Sequence, residues 1–503
     1  MAKEQPMHEK ILDIALQRGF LLPSAEIYGQ WGGFYDYGPL GSQIKRHIEN
    51  IWRSRILRDE EFHEVETSII LPEAVLKASG HAANFTDPLT NCGKCKKSWR
   101  ADTLLEEKTK TSWAGKNPTE LSQALAANGI TCPDCKGELL PVGSFNLMFA
   151  TQVGGGGNTA YCRPETAQGI FLDFPRIFRQ TGSKLPIGIG QVGRSFRNEI
   201  SPRQGLVRMR EFTQMELEYF FNPKNQAMQK FASVADYKTR VKPACEGKEE
   251  NLCPPVEEVT LADGIKKGYF PNEIFAYFVY KAAEYYKFVG IPENKFHFKV
   301  LAKNEMPHYS KGNVDLEVQT SYGWIETVGI AYRTDFDLSS HAKHSKQDLS
   351  VFVEEEKGRI IPHVVEPSFG VDRLFYCLLE SCYRPKTPER DWEWFAFPPF
   401  VAPYVAGVFP LMKKDGLAEK AEEVAGKLRA LGLDARYSES GSIGKRYARA
   451  DEVGVPYCIT IDYQTKEDET VTIRFRDDGK QIRMKISELA ILHQWGARGK
   501  ITG

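Results

Sequence analysis

Two runs of period-two character, residues 186–200 and 206–221, flank the short connection Ser201-Pro202-Arg203-Gln204-Gly205. This arrangement constrains the chain more than any other stretch, because it calls for a β-hairpin. In the second run Arg208, Arg210, Phe212, Gln214, Glu216 and Glu218 alternate with Val207, Met209, Thr213, Met215, Leu217 and Tyr219. Side chains alternate across a pleated strand, so the apolar set is predicted to face the core and the polar set a ligand. In the first run Gln191, Ser195, Arg197 and Glu199 share a face. A surface of guanidinium groups, carboxylates and one aromatic ring suits a nucleotide, since arginine forks grip phosphate oxygens, a ring stacks on a base and a carboxylate accepts from an amine. Alternation alone leaves a solvated face of cross-strand ion pairs equally open.

At 503 residues the chain is long enough for two to four domains, each with its own core. Lysine plus arginine balance aspartate plus glutamate at 66 each, which excludes a strongly basic nucleic-acid protein but not local basic patches. No stretch is long and apolar enough for a signal peptide or a spanning helix, so a cytoplasmic protein without a membrane partner is expected. Four of the ten cysteines form Cys92-Gly93-Lys94-Cys95 and Cys132-Pro133-Asp134-Cys135. Paired thiolates on two tight turns are what tetrahedral zinc requires. Four protein ligands close the shell, so Zn²⁺ is expected to be structural rather than catalytic. Cys245 and Cys253 lack metal spacing and are expected to be ordinary thiols in a reducing compartment.

Apolar spacing predicts helices over 8–18 and 40–58, then a strand over 64–72 ending at Pro72. Residues 145–149 read as a short strand leading to Gly154-Gly155-Gly156-Gly157, which is a flap and not a P-loop, because no Gly-Lys-Ser/Thr follows. Gly188-Ile189-Gly190-Gln191-Val192-Gly193 satisfies the dinucleotide fingerprint by chance, lying within a strand that no helix follows. Glu165 and Thr166 precede a helical segment, 170–178, where a cap and a surface charge are the ordinary roles. Residues 222–294 are charged and weakly patterned, with one aromatic-rich helix over 271–288, and read as an insertion. A strand over 323–331 carries Glu326 among small and apolar neighbours. A strand over 362–367 leads into a helix from 368 with a buried apolar stripe, and Arg373 lies off that stripe in its first turn. Beyond a linker at 385–403, strands near 405–409, 435–437 and 457–461 alternate with helices, and a hairpin over 471–486 follows.

Phe196-Arg197-Asn198-Glu199, a loop, and Val207-Arg208-Met209-Arg210-Glu211-Phe212 resemble motif 2 of the class II aminoacyl-tRNA synthetases, and Thr213-Gln214-Met215-Glu216 resembles its glycyl branch. The helix and strand ending at Pro72, with Ser79-Gly80-His81 after them, resemble motif 1, which builds the dimer interface. Glu366-Pro367-Ser368-Phe369-Gly370-Val371-Asp372-Arg373 resembles motif 3. Arg163-Pro164-Glu165 resembles the segment whose glutamate binds the α-amino group, while Pro307-His308-Tyr309-Ser310, residues 314–318 and residues 333–341 continue the glycyl pattern. The C-terminal part resembles the anticodon-binding domain shared with the histidyl, prolyl and threonyl enzymes.

The resemblance implies an α+β fold: a class II antiparallel sheet flanked by helices, a zinc-binding insertion and a C-terminal α/β anticodon-binding domain. The expected divisions are 1–90, the first part of the catalytic core with motif 1; 91–144, the zinc-binding insertion; 145–390, the core with motifs 2 and 3 and an insertion at about 222–294; and 396–503, the anticodon-binding domain. It further implies a homodimeric ligase that uses ATP and Mg²⁺ to make glycyl-adenylate and passes the glycyl group to the 3′ end of tRNA(Gly).

By the same resemblance the catalytic residues are Arg197 on the α-phosphate, Arg373 on the γ-phosphate and over adenine, and Glu326 beside Mg²⁺. Asn198, Glu199, Val207, Arg208, Met209, Arg210, Glu211 and Phe212 join them at ATP, with Thr327, Gly370, Val371 and Asp372. The glycine pocket draws on Arg100, Glu165, Phe212, Thr213, Gln214, Met215 and Glu216, and on Glu366, Pro367, Ser368, Phe369 and Gly370. Crowding there would leave no room for a β-carbon, so no editing site is needed. His341 and His344 are given structural or supporting roles. The lysines around the four cysteines, and Lys445, Arg446 and Arg449, are either tRNA-phosphate contacts or solvated helix charges. Two alternatives stay open: an adenylating ligase of the same fold with another amino acid or acceptor, and a non-catalytic nucleic-acid-binding relative, which loss of Glu165, Arg197 or Arg373 would have favoured.

Overall fold

The structure, a computed structural model, describes residues 5–113, 115–202, 204–245, 253–307 and 309–498, so Arg203 and His308 lie outside the described residues. Its centre is a nine-stranded sheet. From one edge the strands are Glu257–Thr260, Lys238–Lys242, Phe296–Val300, Asn313–Thr320, Gly323–Thr334, His363–Gly370, Glu211–Phe221, Ile187–Phe196 and His63–Glu64. Pairing is antiparallel except where Lys238–Lys242 meets Phe296–Val300 and where His63–Glu64 meets Ile187–Phe196.

The predicted hairpin is present but shorter on its second arm. Its ladder runs from Ile187↔Phe220 to Phe196↔Glu211, and residues 205–207 form a 3₁₀ turn instead of strand. Arg208 and Arg210 therefore do not share the alternation of the strand, a correction to the sequence reading. Below Glu211 the alternation holds. Met215, Leu217 and Tyr219 enter the main core, where the helices Met7–Gln17, Pro39–Trp52, Glu273–Val289 and Val371–Cys382 cover the sheet. The opposite face carries Gln214, Glu216 and Glu218, then Phe220, which stacks on Phe174 of the helix Ala167–Gln180 at 4.0 Å. This polar face is itself buried rather than open to solvent. The glycines of the apparent fingerprint answer to packing: a Cβ at Gly188 would strike Phe62, and one at Gly190 would strike Leu57 and Trp52.

Two further segments depart from expectation. The predicted strand 64–72 is split, with only His63–Glu64 in the main sheet and Ile70–Pro72 in a small sheet with Asn158–Cys162 and Ala150–Val153. Side chains take over between them, as the Thr67 backbone N–H donates to Gln191 and its carbonyl accepts from Arg163. Residues 222–294 build onto the same body: Lys238–Lys242 and Glu257–Thr260 extend the central sheet, and the aromatic-rich helix, Glu273–Val289, lies in the main core. That helix is apolar nearly all round, begins where the Asn272 side chain accepts from the Phe275 N–H, and stops at Gly290 with φ of 107°. Cys245 and Cys253 are not free thiols. Their Cα atoms are 5.2 Å apart and they form a disulfide.

The four-cysteine segment builds a compact body on the strands Ser98–Arg100, Thr86–Asn91 and Gly143–Asn146 and the helices Ala101–Thr109 and Pro118–Ala127, around its own small core. The glycine run 154–157 is the turn of the hairpin between Ala150–Val153 and Asn158–Cys162. The strand His363–Gly370 continues past Ser368, so its helix begins at Val371. Beyond it, a five-stranded sheet in the order Ala435–Tyr437, Ala406–Pro410, Tyr457–Ile461, Thr470–Phe475, Gln481–Lys485 encloses a separate core with the helix Leu417–Ala430.

Candidate active site

The polar face of the hairpin forms one wall of a cavity of about 430 Å³. Other walls come from the strands Asn313–Thr320, Gly323–Thr334 and His363–Gly370, and from the start of the helix Val371–Cys382. Residues from separate segments therefore meet at one place.

At its deep end the organising group is Arg333, almost wholly buried. Its guanidinium donates to both oxygens of Asp337, at 2.8 and 2.9 Å, and to Glu366 Oε2 at 2.7 Å. It also lies 3.5 Å from Glu165 and packs on the Tyr309 ring. The same arginine leaves its partners in different states. Burial alone would raise Glu165, but Arg333 and then His81 hold it well below the usual carboxylate range. Glu366 is in direct contact with Arg333, yet burial, reinforced by Glu216 and Glu165, outweighs that contact and pushes it up to about 8. Glu216 is tied down at the start of the helix Ala167–Gln180, where Oε2 accepts from the backbone N–H groups of Thr166 and Ala167 and from the Thr166 hydroxyl. Its other oxygen accepts from Gln214 Nε2 and the Ser368 hydroxyl, each at 2.7 Å.

At the open end Arg197 rests on the Phe212 ring, 5.3 Å from its centroid, and on Phe85 at 5.4 Å. Arg373 is held by the Val207 carbonyl and by the carbonyl and carboxylate of Glu326. Arg208 faces Glu199 at 3.7 Å. A Cβ on Gly329 would lie 3.7 Å from Asp315 Oδ1 and 3.9 Å from Glu326 Oε1, so two carboxylates gather over a position with no side chain. Burial and then the Glu326 charge keep the Asp315 carboxyl well above its ordinary value, the condition of a group short of a cation. Hard oxygen donors of this kind suit Mg²⁺.

Of the residues singled out from sequence, Glu165, Arg197, Glu199, Val207, Arg208, Met209, Phe212, Thr213, Gln214 and Glu216 line the cavity, as do Glu326, Thr327, Glu366, Ser368, Gly370, Asp372 and Arg373. The others lie elsewhere. Met215, Phe369 and Val371 point into the core, and Pro367 is buried beside them. Arg210 braces the carbonyls of Glu199 and Gly32, and Glu211 pairs with Arg194. Asn198 uses its backbone N–H on Leu147. Arg100 is clamped between Asp87 and Asp102 in the four-cysteine body, whose Ser98 carbonyl accepts from Ser201 of the hairpin connection. His341 stands behind the wall, bonded to Gln168, and His344 is exposed. In the C-terminal unit Arg446 is buried against the Pro410 carbonyl, while Lys445 and Arg449 are exposed. Sequence reasoning placed Tyr309, Asp315, Arg333 and Asp337 within runs of the glycyl pattern but gave them no role at the site, and it missed Asn313. The usable signals were an arginine ending an otherwise apolar strand and an aspartate at an alternating position of residues 314–318.

The four cysteines form a second candidate centre. Their sulfurs all lie within 4.8 Å of one another, with Cys92–Cys135 at 3.4 Å and Cys95–Cys132 at 3.6 Å. Tetrahedral ligands at ~2.3 Å from zinc stand ~3.8 Å apart, so the set fits that ion closely. A Cβ at Gly137 would press on two of these sulfurs.

The family described as the tRNA synthetase class II core domain (G, H, P, S and T) matches residues 155–382, and the anticodon binding domain family matches residues 405–492. The chain is 40% identical to the glycine–tRNA ligase of Methanocaldococcus jannaschii, over 97% of this chain and 98% of that protein. It is 39% identical to that of Methanothermobacter thermautotrophicus, over 96% and 98%. A crystal structure of prolyl-tRNA synthetase from Cryptosporidium parvum shares the fold, with a TM-score of 0.57 at 12% identity, over 98% of this chain and 79% of that one.

Proposed function

The chain belongs to the glycine–tRNA ligase family of class II aminoacyl-tRNA synthetases, and on that premise we propose how its own residues perform the reaction. It is a ligase that activates glycine with ATP and charges tRNA(Gly). The glycine carboxylate attacks the α-phosphorus and pyrophosphate leaves; a hydroxyl of the terminal adenosine of the tRNA then attacks the glycyl carbonyl and AMP leaves. Neither step needs a protein nucleophile, so catalysis comes from positioning and charge stabilisation.

Arg197, held over Phe212, meets the α-phosphate. Arg208 and Arg373 face the outer phosphates, and adenine lies against Phe212. Glu326 and Asp315 would hold Mg²⁺, which neutralises triphosphate charge. The glycine ammonium pairs with Glu165 and Glu366. Glu216, already saturated by helix N–H groups, Gln214 and Ser368, orients the pocket instead of supplying the free charge. The four cysteines would hold Zn²⁺ and stabilise the body around them. We place residues 405–492 at the anticodon and the four-cysteine body near the acceptor end. A homodimer is supported by Ile69 and Ile70, apolar side chains left exposed at the motif 1 end of the small sheet. No helix among the described residues is long and apolar enough to cross a membrane.

The observation that carries this reading is the meeting of Arg197 and Phe212, Glu165 and Glu366, and Glu326 and Arg373 in one cavity. Charging of a tRNA(Gly) transcript with radiolabelled glycine tests it. Arg197→Ala should lower kcat about 10²–10³-fold in a folded protein; an unchanged kcat would remove Arg197 from the mechanism.

A further inference from the structure

Beneath the glycine pocket one carboxyl group has nothing to bind. Glu218 is completely buried, and neither of its oxygens finds a hydrogen-bond partner among the described residues. It stands on the same strand face as Gln214 and Glu216. The pairs Glu216↔Ser368 and Tyr219↔Val365 bracket it and set it level with Glu366 on the neighbouring strand. On the other flank lies Ile189, which brings no charge.

Among the described residues, the charges facing it are few. Arg333 lies on the strand beyond Glu366, Asp337 on the helix Phe336–Ser345, and Glu216 on its own strand. The helix Ala167–Gln180 contributes Gln168 and Phe171, both uncharged. Behind Arg333 stand Glu165 and His81, and beside Asp337 stands His341, whose pKa burial lowers, so it is neutral. Four carboxyl groups, Glu165, Glu218, Asp337 and Glu366, thus share the Arg333 guanidinium, which cannot balance them all, while Glu216 faces Arg163 and the helix N–H groups.

Resting on the glycine-pocket reading above, we propose that Glu218 is a positioning residue for Glu366: it keeps its own proton throughout, and Glu366 carries a second proton that leaves when the glycine ammonium enters. The O–H bond of Glu366 breaks, its electron pair stays on the carboxylate, and the proton passes to the buffer. One positive charge replaces another, so the net charge of the buried cluster is unchanged. Glu218 offers a neutral O–H beside the newly ionised Glu366, where a second carboxylate would repel it. Burial first, and then the Glu366 charge, pushes the Glu218 carboxyl far up, in keeping with this role. Ammonium binding needs ionised Glu366, so the KM for glycine should fall about tenfold per pH unit as pH rises and level off near the Glu366 pKa.

The test uses the full-length enzyme and a non-hydrolysable glycyl-sulfamoyl adenosine, which carries the ammonium group. Calorimetry in buffers of different ionisation enthalpy counts protons. After correction for the proton the analogue's own amine takes up where it is free as the neutral amine, the wild type should release close to one proton on binding near neutral pH and almost none well above the break; no corrected release at either pH overturns the proposal without touching the function. Failure of the analogue to bind, with no glycine-dependent exchange, would instead defeat the pocket reading on which it rests.

Two variants separate the roles of Glu218. Glu218→Gln supplies a neutral donor and should keep both the proton release and the pH break. Glu218→Leu removes the donor and should move the break in the KM for glycine up by about one unit or more, with little change in kcat. If Glu218 were ionised, the Gln variant would move the break down, and if it only filled space, the Leu variant would leave the break in place. Either result overturns the proposal, and the wild-type proton count decides it even if the Leu variant does not fold.

Discussion

Replacing Arg333 by methionine isolates the charge at the centre of the cluster, because methionine keeps an unbranched apolar stem and leaves little empty space. The guanidinium is removed from two hydrogen bonds to Asp337, one to Glu366 and an ion pair with Glu165. All four residues are buried, so solvent does not take over the lost contacts. Removing one partner of a buried ion pair costs roughly 3–5 kcal/mol. Each kcal/mol moves the melting temperature of a large cooperative unit by about 2 °C, so the variant should melt roughly 6–10 °C below the wild type.

The pH dependence has a definite sign. Glu165 has a depressed folded pKa, so its stabilising contribution is present above its unfolded pKa and lost as pH falls toward the folded value. Arg333→Met lacks that contribution, and the gap between the two proteins should close on acidification. Thermal circular dichroism at neutral and acid pH measures this, and Arg333→Met with Asp337→Leu should recover part of the loss. A neutral-pH melt within a degree of the wild type would refute the reasoning.

Three further outcomes follow from the geometry. Phe212→Ala removes the ring beneath Arg197 and adenine, worth about 1–2 kcal/mol, and should raise the KM for ATP roughly 5–30-fold in pyrophosphate exchange, more than it raises the KM for glycine. Metal analysis should find one zinc per chain, and Cys95→Ser should lose it and open residues 86–146 to limited proteolysis; a metal-free wild type with the same protease resistance would count against the site. Glu218 binds a proton when folded that it releases when unfolded above the ordinary carboxylate pKa, so it makes wild-type stability fall as pH rises from that value. Glu218→Gln should flatten this fall between acid and neutral pH in urea titrations, and an unchanged slope would show that Glu218 is already ionised.

The hairpin, the motif 3 strand and the alternating C-terminal elements were legible because local periodicity and turn residues determine them, as the ladder from Ile187 to Phe196 shows. The four cysteines were legible because ligand spacing is local as well. Arg333 was not. Its partners come from three other segments, and only the folded sheet brings Glu366 and Glu165 to it. Residues 222–294 carry a weak signal for a related reason: Val241 and Val259 are the only buried apolar residues of the charged strands Lys238–Lys242 and Glu257–Thr260. The Cys245–Cys253 pairing had no signal beyond two cysteines eight residues apart. The polar hairpin face was read as ligand-facing throughout, whereas Gln191 is spent on Thr67 and Glu218 lies beneath the floor. Alternation says which side a residue takes and nothing about how deep it lies.

The measurement that bears most directly on the central claim is amino-acid-dependent exchange of pyrophosphate into ATP, with magnesium, across all twenty amino acids. Exchange with glycine alone is predicted, because Glu165 and Glu366 provide an ammonium site in a pocket crowded by Glu216 and Ser368. Exchange with alanine or serine at a comparable rate would contradict the pocket, and no exchange with any amino acid from folded protein would contradict the assignment of this cavity to adenylate formation.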